Sequence, residues 1–435
     1  MEEKKLLVIT YYWPPSGGAG VQRWLKLSKY LAKEGVKVFV LTVDENKASY
    51  TSTDASLKKD IHPNIEVIRT DSFEPINYYA KIVGKSNVPT AGFSNVDNTK
   101  FSQKLVNAIR SNFFIPDPRV GWVKYGYKAA LKLIKDQGIQ HVITTSPPHS
   151  TQLIGMKLKK KLKDKITWVS DFRDPWTDIY YYDILGHTAI SKKIDAKLEK
   201  KVIESSDKIV TVSDGFKSLF LSKTNKVSDS KITIIPNGFD QEDFPADGSL
   251  DLSAYKKEKY TIRYTGTMSD KYGPHVFFDA LKIVKERNPE KDFLFESIGS
   301  MSTDIHEYIK KTNIPFHHIP TVSHEEIVKY QQAADALLLV IPKVKNGEGI
   351  VPGKVFEYLA SRSNIICIAQ ENSDSSKIIE SVNAGKSFTR VEAEGLANYI
   401  LEQMNADQIA LPDIQRYSRE NQAKKMVEVV FSNDD

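Results

Sequence analysis

The chain has 435 residues, a formal charge of +6 and one cysteine, with 40% hydrophobic and 27% charged residues. This balance excludes a disordered chain, and so small a charge for the size gives no ground for nucleic-acid binding. No apolar run approaches the ~18 residues that a membrane span needs, and no secretory leader is read, so a cytoplasmic protein of two or three domains is expected, at most peripheral to a membrane.

Leu6-Leu7-Val8-Ile9-Thr10 reads as a first strand, and Val21, Leu25, Leu27, Leu31 and Ala32 put one apolar face on a helix over 21–34. Between them runs Tyr11-Tyr12-Trp13-Pro14-Pro15-Ser16-Gly17-Gly18-Ala19-Gly20. Its glycines let backbone N–H groups approach a ligand at a helix start, which makes Gly17 and Gly18 candidate contacts to a sugar or phosphate. It is not a dinucleotide fingerprint, because Arg23 stands at the third glycine position. Gly35 ends the helix and a strand follows over 36–41. Residues 70–120 fit no alternation. Phe101, Leu105, Ala108, Ile109 and Phe113 share a helical face there, suiting a helical insertion packed on the domain or a flap that meets an acceptor or a membrane.

Further strands are expected over 141–145, 166–170, 208–212 and 231–235, with helices over 123–136, 150–163, 189–205 and 214–223. His149 ends one of these strands, and Asp171-Phe172-Arg173-Asp174-Pro175-Trp176 follows another. Arg173 suits a developing negative charge and Asp174 a hydroxyl, unless the two form a structural ion pair, while Asp171 serves either a ligand or a helix cap. For His149 a cap or packing role competes with a catalytic one. The lysines at 157, 159, 160, 161, 163 and 165 form a solvated helix face or a contact to anionic lipid.

A second series starts at Tyr260. Strands are expected over 260–265, 293–298, 315–319, 336–341 and 364–369, with helices over 274–287, 303–312, 323–334, 353–361 and 375–383. Cys367 falls inside the last of these strands, as an inert core thiol would. Alternating strands and helices imply parallel sheets, and two series imply two doubly wound α/β domains, 1–236 and 260–418. The turn Pro236-Asn237-Gly238-Phe239-Asp240 and the polar run after it suggest a linker over 237–259, and a final helix is expected over 419–431. Ligands of such sheets sit beyond the carboxyl ends of the strands, and facing sheets would make a cleft.

Two loops of the second series suit a phosphate. Gly266 follows the first strand, with Lys271 near it. Gly349-Ile350-Val351-Pro352-Gly353-Lys354-Val355-Phe356-Glu357 follows an apolar strand and opens a helix. A helix N-terminus attracts phosphate, Lys354 adds charge there, and Glu357 lies three residues on, placed to accept from sugar hydroxyls. A diphosphate beside a ribose suits this grouping; an ordinary β-α turn with solvated Lys and Glu is the plain alternative.

Taken together, these segments resemble the GT-B glycosyltransferases, and within them the large retaining group called family 4. The glycine-rich start, Val210-Thr211-Val212-Ser213, Pro236-Asn237-Gly238-Phe239-Asp240 and Pro352-Gly353-Lys354-Val355-Phe356-Glu357-Tyr358 carry the resemblance over nearly the whole chain. It implies a GT-B fold of two Rossmann-like domains, the second holding a nucleoside diphosphate sugar and the first the acceptor, with the last helix returning to the first domain. Glu357 matches the second glutamate of the family's pair. The first falls on Gly349, with Glu348 one place off, so backbone groups of Gly349 to Val351 stand in; Pro352 and Gly353 are counted among the donor-binding residues. Thr267 occupies the family's arginine position, Lys271 roughly matches its lysine, and Lys354 supplies the missing charge. Arg173 replaces a histidine common at the end of a first-domain strand.

The implied reaction transfers a hexose-type residue with retention to a glycan or lipid-linked acceptor in surface polysaccharide or glycoconjugate synthesis. No metal or other cofactor is expected, and contact with the inner membrane face is allowed for. Two rivals stay open: a sugar-nucleotide epimerase of the same architecture, using Asp171, Asp174 and His149, and a non-catalytic partner subunit with a degenerate donor site.

Overall fold

The computed structural model describes residues 3–74, 112–245, 249–406 and 412–432. The apolar face expected over 101–113 falls outside them as far as residue 111. The chain forms two compact units, Met1–Pro236 with Arg419–Asp435, and Asn237–Ser418.

Among the described residues the first unit is built on seven strands, β1 (Lys5–Ile9), β2 (Lys37–Val43), β3 (Glu66–Thr70), β4 (His141–Ser146), β5 (Thr167–Phe172), β6 (Lys208–Thr211) and β7 (Ile232–Ile234). They lie in the order β3-β2-β1-β4-β5-β6-β7, with every ladder parallel. Helices cover both faces, which is why the central strands read as unbroken apolar runs. Leu6, Leu7, Val8 and Ile9 are all fully buried.

A buried polar network seats the helix Ser150–Leu162 on this sheet. Trp168 Nε1 donates to Thr144 Oγ1 at 2.8 Å, Thr144 donates to Gln152 Oε1 at 2.5 Å, and Gln152 Nε2 donates to the Asp171 carbonyl at 3.0 Å. Gly155 permits the approach, since a Cβ there would fall on the Trp168 indole. The last helix, Arg419–Phe431, packs Ala423, Met426, Val430 and Phe431 into one cluster with Trp24, Leu27 and Leu31. Each large side chain buried this way contributes about 1.5–3 kcal/mol.

The second unit has six strands, β8 (Tyr260–Thr265), β9 (Phe293–Ile298), β10 (Phe316–Ile319), β11 (Ala336–Val340), β12 (Asn364–Ile368) and β13 (Gly385–Phe388). Their order is β10-β9-β8-β11-β12-β13, again parallel. Side chains alternate between two cores: Leu338, Val340, Ile366 and Ile368 enter one, and Leu337, Leu339, Ile365 and Cys367 the other. Burial pushes the Cys367 thiol up to about 12, in keeping with an inert core residue. Residues 237–245 and 249–259 count with this unit, and Phe239 and Phe244 are buried in it.

Both sheets reverse their winding next to the first strand of their series, between β1 and β4 and between β8 and β11. Such switch points open a crevice at the carboxyl edge. Among the described strands and α-helices, three lie outside the expected set: β3, β13 and the helix Ala393–Met404. The two strands are edge strands, short and partly polar, so they lack the apolar run that marks a central strand.

Candidate active site

In the second unit the loops after β8 and β11 meet at the switch point. Gly266 has φ 109°, a left-handed value open to glycine, and its N–H donates to the Ile298 carbonyl at 2.7 Å. A Cβ on Gly266 would collide with Lys354 Nζ, so the glycine clears the place that the ammonium takes. Lys354 belongs to the first turn of the helix Gly353–Ser361, which has no side-chain cap. Its Nζ stands 4.6 Å from the Tyr264 ring centroid and makes no hydrogen bond or ion pair among the described residues. Burial pushes its pKa down to about 8, and the Glu357 charge opposes that shift. A cation so poorly paired, beside a helix N-terminus, is stabilised by an incoming anion.

Glu357 is half-buried and accepts from Gln331 Nε2 at 3.4 Å. Gln331, fully buried, also donates to Thr265 Oγ1 at 3.1 Å, and the Tyr358 hydroxyl accepts from Thr265 N at 3.1 Å. The end of β8 and two helices thus aim one carboxylate. Gly349 is buried, and Val351 turns its side chain into the core. Ile350 donates its N–H to the Gly347 carbonyl at 3.1 Å and accepts from Ser375 Oγ at 2.8 Å. Glu348 is exposed and accepts from Gln370 Nε2 at 3.3 Å. The expectation that residues 349–351 as a whole offer their backbone is therefore corrected: Ile350 is already engaged within the protein. Pro352 is the residue before the helix and Gly353 its exposed first position, with open space around it. Thr267 is exposed, and its carbonyl accepts from the Tyr264 hydroxyl at 2.7 Å. Lys271 is exposed in the short turn Asp270–Tyr272.

In the first unit the carboxyl edge gathers the loop after β1, the end of β4 and the start of the loop after β5. Gly17 donates to the Ser52 carbonyl at 2.9 Å, and Gly18 precedes the helix Ala19–Lys33 with φ 87°. The Arg173 guanidinium ties these loops together, donating to the carbonyls of Gly20 at 2.8 Å, Ser146 at 3.2 Å and Pro147 at 2.9 Å. Three of its five N–H donors are used so, and two remain.

Asp174 is half-buried and makes no hydrogen bond or ion-pair contact among the described residues. Burial raises its pKa, the Arg173 charge works against that, and Asp171 adds to it. His149 stacks on Trp176, ring centroids 4.9 Å apart at 11°, and its buried Nδ1 has no partner among the described residues. Burial, then the Arg173 charge, pushes its pKa down to about 3. An imidazole kept neutral and stacked on an indole suits the packing role better than proton transfer.

Asp171 is also corrected. It is fully buried and accepts from Arg23 Nη2 at 2.9 Å and Nε at 3.3 Å, Trp24 Nε1 at 2.7 Å and Thr145 Oγ1 at 2.8 Å. Four donors and no exposure make it a structural anchor of the helix Ala19–Lys33. Arg23 completes that anchor by donating to the Pro236 carbonyl at 3.0 Å. Arg23 and Gln331 were not singled out as functional. The signal for Arg23 was its place where a glycine would complete the fingerprint; Gln331 carried none. Arg390, also unsignalled, comes off β13 and donates to the carbonyls of Tyr272, at 2.7 Å, and Ile341, bracing the loops on either side of Gly266 and Lys354.

Residues 89–243 match the family model described as Glycosyltransferase Family 4. No curated protein sequence matches the chain. Among solved structures, WaaG, a glycosyltransferase involved in lipopolysaccharide biosynthesis, is similar with a TM-score of 0.53 at 13% identity, covering 98% of this chain and 99% of that one. A point mutant of S. aureus TarM, in complex with Fondaparinux, alpha-GlcNAc-glycerol and UDP, has a TM-score of 0.59 at 12% identity over 98% and 99%. A putative UDP-N-acetylglucosamine 2-epimerase from Listeria monocytogenes has a TM-score of 0.56 at 10% identity over 99% and 97%. At these identities the likeness is one of fold. Two Rossmann-like units of this topology are the GT-B fold.

Proposed function

We propose that this chain is a retaining transferase that takes a glycosyl residue from a nucleoside diphosphate sugar to an acceptor hydroxyl. The observation that carries the reading is Lys354: a mostly buried ammonium, unpaired among the described residues, lying over Gly266 at an uncapped helix start. A diphosphate supplies the negative charge that this place lacks, and Glu357, braced by Gln331, is positioned for a sugar hydroxyl. The UDP in the TarM complex supports a nucleotide donor, and the role printed for WaaG supports surface-glycan synthesis.

In the reaction the bond between the anomeric carbon and the β-phosphate oxygen breaks, and a bond to the acceptor oxygen forms on the same face. The acceptor proton passes to the departing phosphate, and Lys354 with the helix dipole stabilises the charge that develops there. No metal is needed in this scheme. Arg173 and Asp174 orient the acceptor in the first unit. Mass-spectrometric assay with a panel of sugar nucleotides and glycan or lipid-linked acceptors tests the reading; transfer or donor hydrolysis supports it, and absence of any nucleotide binding refutes it.

The epimerase reading keeps one observation in its favour, an Asp174 unpaired among the described residues and close in the chain to the Trp176 on which His149 stacks. It requires an epimerised sugar nucleotide to form without acceptor, which the same assay detects.

A further inference from the structure

We infer that the first unit carries a docking face for an anionic lipid bilayer, formed by the loop 180–188 and the outer face of the helix Ala189–Ser205. The observations lie away from the basic run at 157–165. Large apolar side chains stand in solvent here: Phe113 is 78% exposed, Ile184 56%, Ile190 74%, Ile194 45% and Tyr180 46%. Hydrogen bonds show that they are neighbours. Asn112 accepts from Thr188 N at 2.7 Å and donates to the Gly186 carbonyl at 3.0 Å, which sets Phe113 beside the helix start. Tyr182 donates to Asp195 at 2.7 Å and Lys192 to Asp183 at 2.7 Å, which holds the loop around Ile184 against the same helix.

On that helix Ile190 and Ile194 are one turn apart, and Lys193, Lys197 and Lys201 share their outward face at i, i+4 and i+8 spacing, all exposed. The opposite face is buried, with Asp195 accepting from Trp176 and Glu199 from Thr177. A helix that hides its acids and exposes isoleucines among lysines is built for an interface where apolar tails lie beneath negative headgroups. The lysines choose the occupant: a second copy of this face would set like charges against each other. The nearby acids do not cancel them, since Asp183 is paired with Lys192, and Glu204 with Lys200 at 4.0 Å and Lys226 at 3.9 Å. The run at 157–165 has the charge without the apolar part. Leu158 is buried, and Lys159 is bound to Asp207 at 2.8 Å.

This inference stands apart from the donor-site reading, because vesicle binding reports on one and nucleotide binding on the other. The test is co-sedimentation of the full chain with vesicles of phosphatidylcholine alone and of phosphatidylcholine with one quarter phosphatidylglycerol, at low and high salt. Binding to the anionic vesicles only, weakened by salt, is expected. Ile190→Ser with Ile194→Ser should abolish it. Lys193→Gln with Lys197→Gln and Lys201→Gln should weaken it about a hundredfold, roughly fivefold per lysine. Lys157→Gln with Lys160→Gln and Lys161→Gln should leave it unchanged. All variants should keep the parent's thermal unfolding and nucleotide affinity, since every altered side chain lies at the surface. Failure to bind anionic vesicles, equal binding to neutral ones, or parental binding by the isoleucine variant would overturn the inference. So would sedimentation equilibrium showing a dimer that the isoleucine variant dissolves.

Discussion

Lys354 Nζ stands where the side chain of any residue but glycine at position 266 would begin, 4.6 Å from the Tyr264 ring centroid. Two loops far apart in the chain thereby meet at the β8–β11 switch point, with a cation between them. Lys354→Ala removes a charge-assisted contact worth about 1.5–3 kcal/mol, so the Kd for a nucleoside diphosphate should rise ~10- to 150-fold. Gly266→Ala should weaken binding too, by displacing the ammonium. Calorimetric titration with UDP, GDP and ADP checks both, and parental affinity in both variants would rule out a phosphate contact at Lys354.

The same lysine sets a pH dependence. Its ammonium titrates near pH 8, and only the charged form attracts a diphosphate. Affinity should therefore be steady below pH 8 and fall up to about tenfold per pH unit above it, until the neutral site's own affinity is reached. Lys354→Arg, which stays charged, should flatten the curve wherever it still binds. Titrations between pH 7 and 10 decide it; a flat parental curve would mean that Lys354 does not meet the phosphates.

Asp171 and Arg23 form a pair buried on both sides, 2.9 Å apart. Removing one partner leaves the other charge unpaired in the core, at a cost of about 3–5 kcal/mol. Asp171→Asn or Arg23→Met should lower Tm by ~10 °C on the scale of a unit this size. Asp171→Leu with Arg23→Met together should cost less than the two single changes summed. Additive losses in differential scanning calorimetry would argue against a coupled pair.

His149 gives acid sensitivity of a defined sign. The folded ring stays neutral down to about pH 3, whereas the unfolded chain takes a proton near its ordinary 6.5. Its contribution to stability is complete above 6.5 and is lost as pH falls toward 3, at up to ~1.4 kcal/mol per unit. His149→Gln should make the acid limb shallower in urea melts between pH 4 and 7. Equal slopes in parent and variant would show that the ring titrates normally.

On the proposed reading, Asp174 affects acceptor binding and leaves nucleotide binding alone. Asp174→Asn keeps the shape and removes the charge, so acceptor KM should rise about tenfold, the value of one charge-assisted hydrogen bond, with nucleotide Kd unaltered. A change confined to nucleotide binding would move Asp174 out of the acceptor site.

Much of the architecture was legible before any coordinates. Apolar strands buried on both faces, such as Leu337-Leu338-Leu339, announce themselves by composition, and the period of the helices follows from one buried stripe each. The glycine loops and the 349–357 segment were legible as phosphate-friendly because the turn chemistry is local. The edge strands β3 and β13 were not, since a strand with one neighbour carries a weaker apolar pattern. Asp171 misled for a related reason: an Asp-Phe-Arg-Asp string reads as functional whichever aspartate faces inward, and the β5 pleat with Arg23 arriving from a helix settles which one does.

By itself, then, the chain determined that two parallel α/β series form, and it put glycines, a lysine and carboxylates at the ends of their strands, because strand burial, helix periodicity and turn preference act over a few residues. Only the tertiary structure decided that Lys354 rests on Gly266, that Gln331 braces Glu357, and that Asp171 is an anchor while Asp174 is left without a hydrogen-bond partner among the described residues. Those outcomes depend on which side chains are desolvated together, and desolvation is a property of elements packed from distant parts of the sequence.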